Sequence, residues 1–289
     1  MITRLLILLF ACSSLYGQIP VDSLFKIAGE QYEEDNVDSA YTIYKAIVDH
    51  HKTDKFYSRA LYNLSWTAMN LEKYDVAEKA SLELLHSDFN DYEKGPGQGL
   101  MSEPYALYKH RACKILSDIY IEKADYKSAL KYEKLADKKY PYVHFCGNEL
   151  AANEIYKSTA YAKCYTGLGN RKKAINILLK QSFNSTYANN SGVIALVDSL
   201  ITLEYGKKII ADELQRSINT LRIKSTRKHE TYYVQLFNTT IEITDDLDVL
   251  LLGNTKRFHL TYEEYEKLSA SEKLLLYYKN SALYKALIT

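Results

Sequence analysis

"KADYKSALKYEKLADKKYP", Lys123 to Pro141, sets an aromatic at Tyr126, methyl side chains at Ala129 and Ala136, and a helix-stopping proline at Pro141. Just upstream lie Cys113, Leu116, Ser117 and Tyr120. Two antiparallel helices can cross closely only where one side chain is no bigger than a methyl. The spacing therefore predicts a helical hairpin with Ala129 opposite Leu116 and Ser117, and with Tyr120 and Tyr126 filling the space beside it.

The same skeleton recurs outward from this stretch. A first copy has Leu24, Ile27 and Ala28, then Ala40 and Tyr44. A second has Leu61, Leu64, Ser65 and Ala68, then Tyr74 and Ala77. A fourth has Tyr161, Ala162 and Tyr165, then "GLGN" (Gly167–Asn170) as its turn, Ala174 and Leu178. Four hairpins in phase over residues 21–181 resemble the tetratricopeptide (TPR) repeat, whose period is about 34 residues. The turn alanines Ala40, Ala77, Ala129 and Ala174 stand 37, 52 and 45 residues apart, all longer than that period. The excess falls in two insertions, His86–Pro104, which is rich in Gly and Pro, and Tyr140–Leu150. Within the first, "KGPGQG" (Lys94–Gly99) lacks the residue order of a phosphate loop and reads as surface.

Composition agrees with packed helices: Tyr is abundant (27), whereas Gly (11) and Pro (4) are scarce. Lys+Arg (37) and Asp+Glu (36) nearly cancel, so no global field points to nucleic acid. The N-terminus reads as a leader: Arg4, an apolar run Leu5–Ala11, and small residues to Gly17. Cleavage after Gly17 releases the chain; alternatively "LFAC" (Leu9–Cys12) resembles a lipobox, which would lipidate Cys12 and anchor the protein. Free secretion is favoured, and the chain is expected to be exported, periplasmic or secreted. Later segments fall short of the roughly 18 apolar residues that a transmembrane helix requires. Cys113, Cys146 and Cys164 make no disulfide framework; one bridge outside the cytoplasm is the alternative to the favoured reading as buried free thiols.

After "SFNSTYANNSG" (Ser182–Gly192), two more helices are expected, Val193–Tyr205 and Lys207–Ile223. The period then changes. Thr231–Phe237 and Thr240–Thr244 alternate as half-buried strands do, and Asp248–Leu260 reads as a hairpin turning at Gly253-Asn254. Thr261 with Glu264, and Ser269 with Glu272, are capping boxes that open two last helices. The expected fold is mainly α, a TPR-like helical-hairpin solenoid (18–224) with insertions at 86–104 and 140–150, followed by a small α+β unit (225–289).

The resemblance implies a concave face, lined by the first helix of each pair, that holds a protein or extended peptide. On it would stand Phe25 and Tyr32; Arg59, Tyr62, Trp66, Met69 and Asn70; Arg111, Lys114, Asp118 and Glu122; and Tyr156, Thr159 and Lys163. Aromatic rings flanked by cations suit a peptide bearing a carboxylate or acidic residues. The expected role is a non-enzymatic scaffold with no cofactor, no metal and no nucleic-acid partner. The alternative class is an enzyme with its site in the C-terminal unit or at His144 and Cys146, where Cys beside His is a nucleophile–base pair or half a metal site. Residues two apart diverge on a helix, which weakens that pairing. Asp245, Asp246 and Asp248 in "TDDLD" are a cation-chelating set or, the favoured reading, a solvated hairpin entrance. Sensor and immunity- or inhibitor-type roles are further alternatives.

Overall fold

The computed structural model describes residues 19–95, 103–183, 188–225, 230–243, 247, 251 and 261–289. The leader with Cys12, most of "KGPGQG", the three aspartates of "TDDLD" and nearly all of the expected hairpin Asp248–Leu260 lie outside the described residues. Compactness divides the chain between Val143 and His144.

The first unit holds six helices among its described residues: α1 (Val21–Glu33), α2 (Val37–His50), α3 (Tyr57–Asn70), α4 (Tyr74–His86), α5 (Tyr108–Glu122) and α6 (Tyr126–Lys138). Each packs on the next, so three consecutive hairpins lie against their neighbours. Their tight turns share one construction. Asp35, Glu72 and Ala124 each take positive φ, of 63°, 56° and 55°. In each, the N–H after the left-handed residue donates to the carbonyl five residues back: Asn36 to Gln31, Lys73 to Ala68, Asp125 to Tyr120. This is the Schellman stop, which satisfies carbonyls the helix leaves open. Exactly five residues after each stop comes a turn alanine, Ala40, Ala77 or Ala129, every one with 0% exposure. The matching small residues of the first helices, Ala28, Ala68 and Ser117, are equally buried. Leu64 and Leu116 belong to one continuous core with Leu24, Ile47 and Leu84. Ala77 belongs to a smaller cluster with Ala68, Ile115 and Ile119.

The second unit begins with the same hairpin, α7 (Gly147–Gly167) and α8 (Arg171–Leu179). Its left-handed residue is Gly169, φ 76°, and Asn170 N–H donates back to the Tyr165 carbonyl. Ala162 and Ala174 are fully buried. The helix starts at Gly147, so the second insertion ends at Cys146 rather than Leu150. Then come α9 (Ser191–Glu204), α10 (Lys207–Ile218) and an antiparallel sheet in the order β1 (Arg222–Ser225), β2 (Glu230–Leu236), β3 (Thr239–Ile243). Strand β1 is a finding, since the sequence extends a helix to Ile223 there. Its pairing with β2, Ile223 opposite Tyr232, supplies what four residues with one apolar side chain cannot signal. Strands β2 and β3 match expectation and meet at a two-residue turn, Phe237-Asn238, with φ 46° and 61°. A Phe in such a turn is unusual. Here its ring stacks on Tyr205 at 4.6 Å, and its N–H donates to the Glu213 carboxylate of α10.

Both capping boxes form. They open α11 (Tyr262–Lys267) and α12 (Ala270–Asn280), and a third short helix, α13 (Ala282–Ile288), starts from Ser281. The sheet shares a single core with the helices before and after it: Ile175, Val197, Ile201, Val234, Ile241 and Tyr278 are all buried in it. No helix among the described residues is long and apolar enough to cross a membrane.

Candidate functional site

The first unit contains a pocket of about 490 Å³. Its walls come from the first helices of three successive hairpins: Phe25, Tyr32 and Glu33 of α1; Arg59, Tyr62, Asn63 and Trp66 of α3; Tyr108 and Arg111 of α5. Tyr44 of α2 closes the floor, stacked edge-on against Phe25 at 5.6 Å. Helical spacing explains the wall: Arg59, Tyr62 and Trp66 recur at three and four residues, one stripe of α3.

Trp66 and Tyr32 remain 40% and 37% exposed, which leaves ring area open to a ligand. Their positions are tied: the Trp66 Nε1–H donates to the Tyr32 hydroxyl at 2.7 Å, and Asn70 Nδ2 donates to the same oxygen at 3.3 Å. Across the pocket, Arg111 donates from Nη1 to the Tyr62 hydroxyl at 3.2 Å and lies 5.0 Å from that ring's centre. Burial pushes the Tyr44 and Tyr108 hydroxyls up to about 12, with the Glu93 carboxylate adding to the rise at Tyr108. Both phenols therefore remain protonated throughout the physiological range.

The two arginines do not stand open. Arg59 Nε meets Glu93 Oε1 at 3.4 Å, and its Nη2 donates to the Lys94 carbonyl at 2.9 Å. Arg111 Nη2 meets Glu103 Oε2 at 3.4 Å. Both carboxylates belong to the α4–α5 connection, whose neck is pinned by a bridge between Lys94 and Tyr105. The neck is tight enough to demand glycine: a Cβ on Gly95 would come within 2.0 Å of the Glu103 carbonyl oxygen. The Arg111 pairing is loose. Its Nε and Nη2, and Glu103 Oε2, are buried without a hydrogen bond among the described residues. Such a guanidinium retains bonding capacity that a bidentate carboxylate would use.

Of the residues predicted for the groove, Arg59, Tyr62, Trp66 and Arg111 meet at this pocket, and Asn70 braces it through Tyr32. Lys114 is elsewhere: it is buried and donates to both oxygens of Glu133 on α6, at 2.8 and 2.6 Å. Burial raises the Glu133 carboxyl, against the downward pull of the Lys114 ammonium. Tyr156 and Lys163 are exposed on α7 of the second unit. Sequence reasoning did not single out Tyr108, Glu93 or Glu103. The two acids flank a Gly/Pro-rich run, but only folding brings them onto arginines 34 and eight residues away.

His144 is buried, and its Nδ1 accepts the backbone N–H of Cys146 at 2.9 Å. Cys146 directly precedes α7 as its N-cap. Cys113 and Cys164 are fully buried, and burial pushes the Cys113 thiol up to about 12. Among the described residues no three His, Cys, Asp or Glu side chains gather as a metal site. No protein-family model matches this chain, and no curated protein is similar enough to count as a relative.

Proposed function

We propose that this chain is an exported, non-enzymatic scaffold of TPR-like design that holds a protein or extended peptide in the pocket of its first unit. The single observation that carries this reading is the pocket's construction. Three successive hairpins each contribute the same helix to one aromatic-lined wall, so a chain laid across them meets pre-ordered side chains. Recognition then costs little conformational entropy on the scaffold's side. Exposed Trp and Tyr beside Arg are the side-chain types that carry most of the energy at binding surfaces. The loose Arg111–Glu103 pair supports a partner bearing a carboxylate, which would exchange for Glu103.

The test uses Trp66, the only tryptophan, as its own reporter. Peptides selected against the full chain are titrated while its emission is followed. Binding should shift that emission, and Arg111→Gln should weaken it at least about tenfold with an unchanged melting temperature. Selected peptides whose affinity ignores both Trp66→Phe and Arg111→Gln would remove the pocket as the recognition site.

A further inference from the structure

The outer face of α6 carries a charge distribution that the groove does not explain. Lys127, Lys131, Lys134, Lys138 and Lys139 surround Leu130 and Leu135 on a shallow, solvent-open hollow of about 490 Å³. All five lysines are exposed, and both leucines are half-buried. None of the five is ion-paired among the described residues, although Lys114 on the neighbouring helix is.

The acids of α6 are largely spent elsewhere. Glu133 turns inward to Lys114, Asp125 caps the helix by accepting the Ser128 N–H at 3.1 Å, and Asp137 is also engaged. Ala129, Glu133 and Ala136 bury the opposite face, so the lysine face looks outward as a consequence of the fold. The whole chain carries a net charge of only +1, so this density is local.

We propose that this face of α6 docks on an anionic lipid surface. Three features select that occupant. Among the described residues the hollow is lined by one helix with no second wall, so it fits a broad, flat partner rather than an inserted side chain. Every cation is Lys, a mobile point charge; the fork of Arg, which suits defined carboxylates and nucleic-acid bases, is missing. Leu130 and Leu135 lie among flexible lysine stems, which can keep their ammonium groups at headgroup level while apolar atoms meet the boundary beneath. This surface is independent of the pocket between α1, α3 and α5.

The experiment is co-sedimentation of the full chain with vesicles of phosphatidylcholine alone, or of phosphatidylcholine mixed with phosphatidylglycerol. The wild type should prefer the anionic vesicles at least about tenfold, and should lose that preference between about 0.05 and 0.5 M salt. Reversing Lys131, Lys134 and Lys138 together to Glu should cut anionic binding at least about a hundredfold, with circular dichroism and melting unchanged. Lys→Gln at the same positions should give an intermediate loss. Equal binding to both vesicle types overturns the proposal, because an apolar N-terminal run would bind without regard to headgroup charge. Undiminished binding by the Glu variant also overturns it. So does saturable binding to a polyglutamate peptide or duplex DNA with no anionic-vesicle preference.

Discussion

His110 Nδ1 donates to the backbone carbonyl of Tyr140 at 2.7 Å, tying the first turn of α5 to the second residue past the end of α6. Since a carbonyl only accepts, the ring carries its proton on Nδ1, and a second proton would be needed to charge it. Burial holds that imidazole down at about 4, against an ordinary value of 6.5.

The unfolded chain therefore takes up a proton between about pH 6.5 and pH 4 that the folded chain refuses. This contribution to stability is whole above pH 6.5 and is lost as pH falls toward 4, by roughly 3 kcal/mol at most. Denaturant unfolding across that range should show the slope, and His110→Asn should flatten it. An unchanged slope in the variant would assign the acid sensitivity to other groups.

Ala124 pays for its left-handed backbone, unlike Gly169 at the equivalent turn. Ala124→Gly should stabilise the first unit by about 1 kcal/mol, because glycine occupies that conformation without a Cβ clash. Its neighbour Asp125 caps α6, so Asp125→Ala should cost about 1 kcal/mol. Both changes are measurable as shifts in the urea midpoint, and a destabilised Ala124→Gly protein would argue against the strain.

Ala129 has no accessible surface, and neither have Leu116 and Ser117 on the helix it packs against. Ala129→Leu should destabilise by about 1–3 kcal/mol or more, through overpacking of a crossing that admits only a methyl. Ala136→Leu, at 2% exposure, should behave alike, whereas Lys134→Leu on the exposed face should change stability by less than about 0.5 kcal/mol. Thermal melts of the three variants separate the cases.

Lys114 and Glu133 form an ion pair out of water. Lys114→Met leaves a buried carboxylate without its cation and should cost about 3–5 kcal/mol at neutral pH. Part of that loss should return on acidification, since protonating the abandoned carboxyl removes the buried charge. The double variant Lys114→Met/Glu133→Leu should recover much of the stability, and a double variant as unstable as the single one would show that packing, not charge, dominates.

On the proposed reading, Glu103 would compete with an acidic ligand for Arg111, which it meets at 3.4 Å. Glu103→Gln should therefore tighten carboxylate-bearing selected peptides about tenfold, and the gain should vanish in the Arg111→Gln background. Isothermal titration of the four proteins closes the cycle.

Readable before any folding are the features written in short-range patterns. The alanines at Ala40, Ala77, Ala129 and Ala174 announce close helix crossings, and Thr261 and Ser269 announce helix starts, because each signal involves residues within one or two turns. The pocket stripe of Arg59, Tyr62 and Trp66 was legible for the same reason. The left-handed stops were not, since only Gly169 of the four carries the residue type that marks them. Folding across the chain decides that Lys114 turns inward to Glu133, that Glu93 and Glu103 meet Arg59 and Arg111, and that Arg222–Ser225 becomes a strand. In each case the deciding partner lies across the fold, and a charged or β-forming side chain carries no local record of which distant group will compensate its burial or complete its hydrogen bonds.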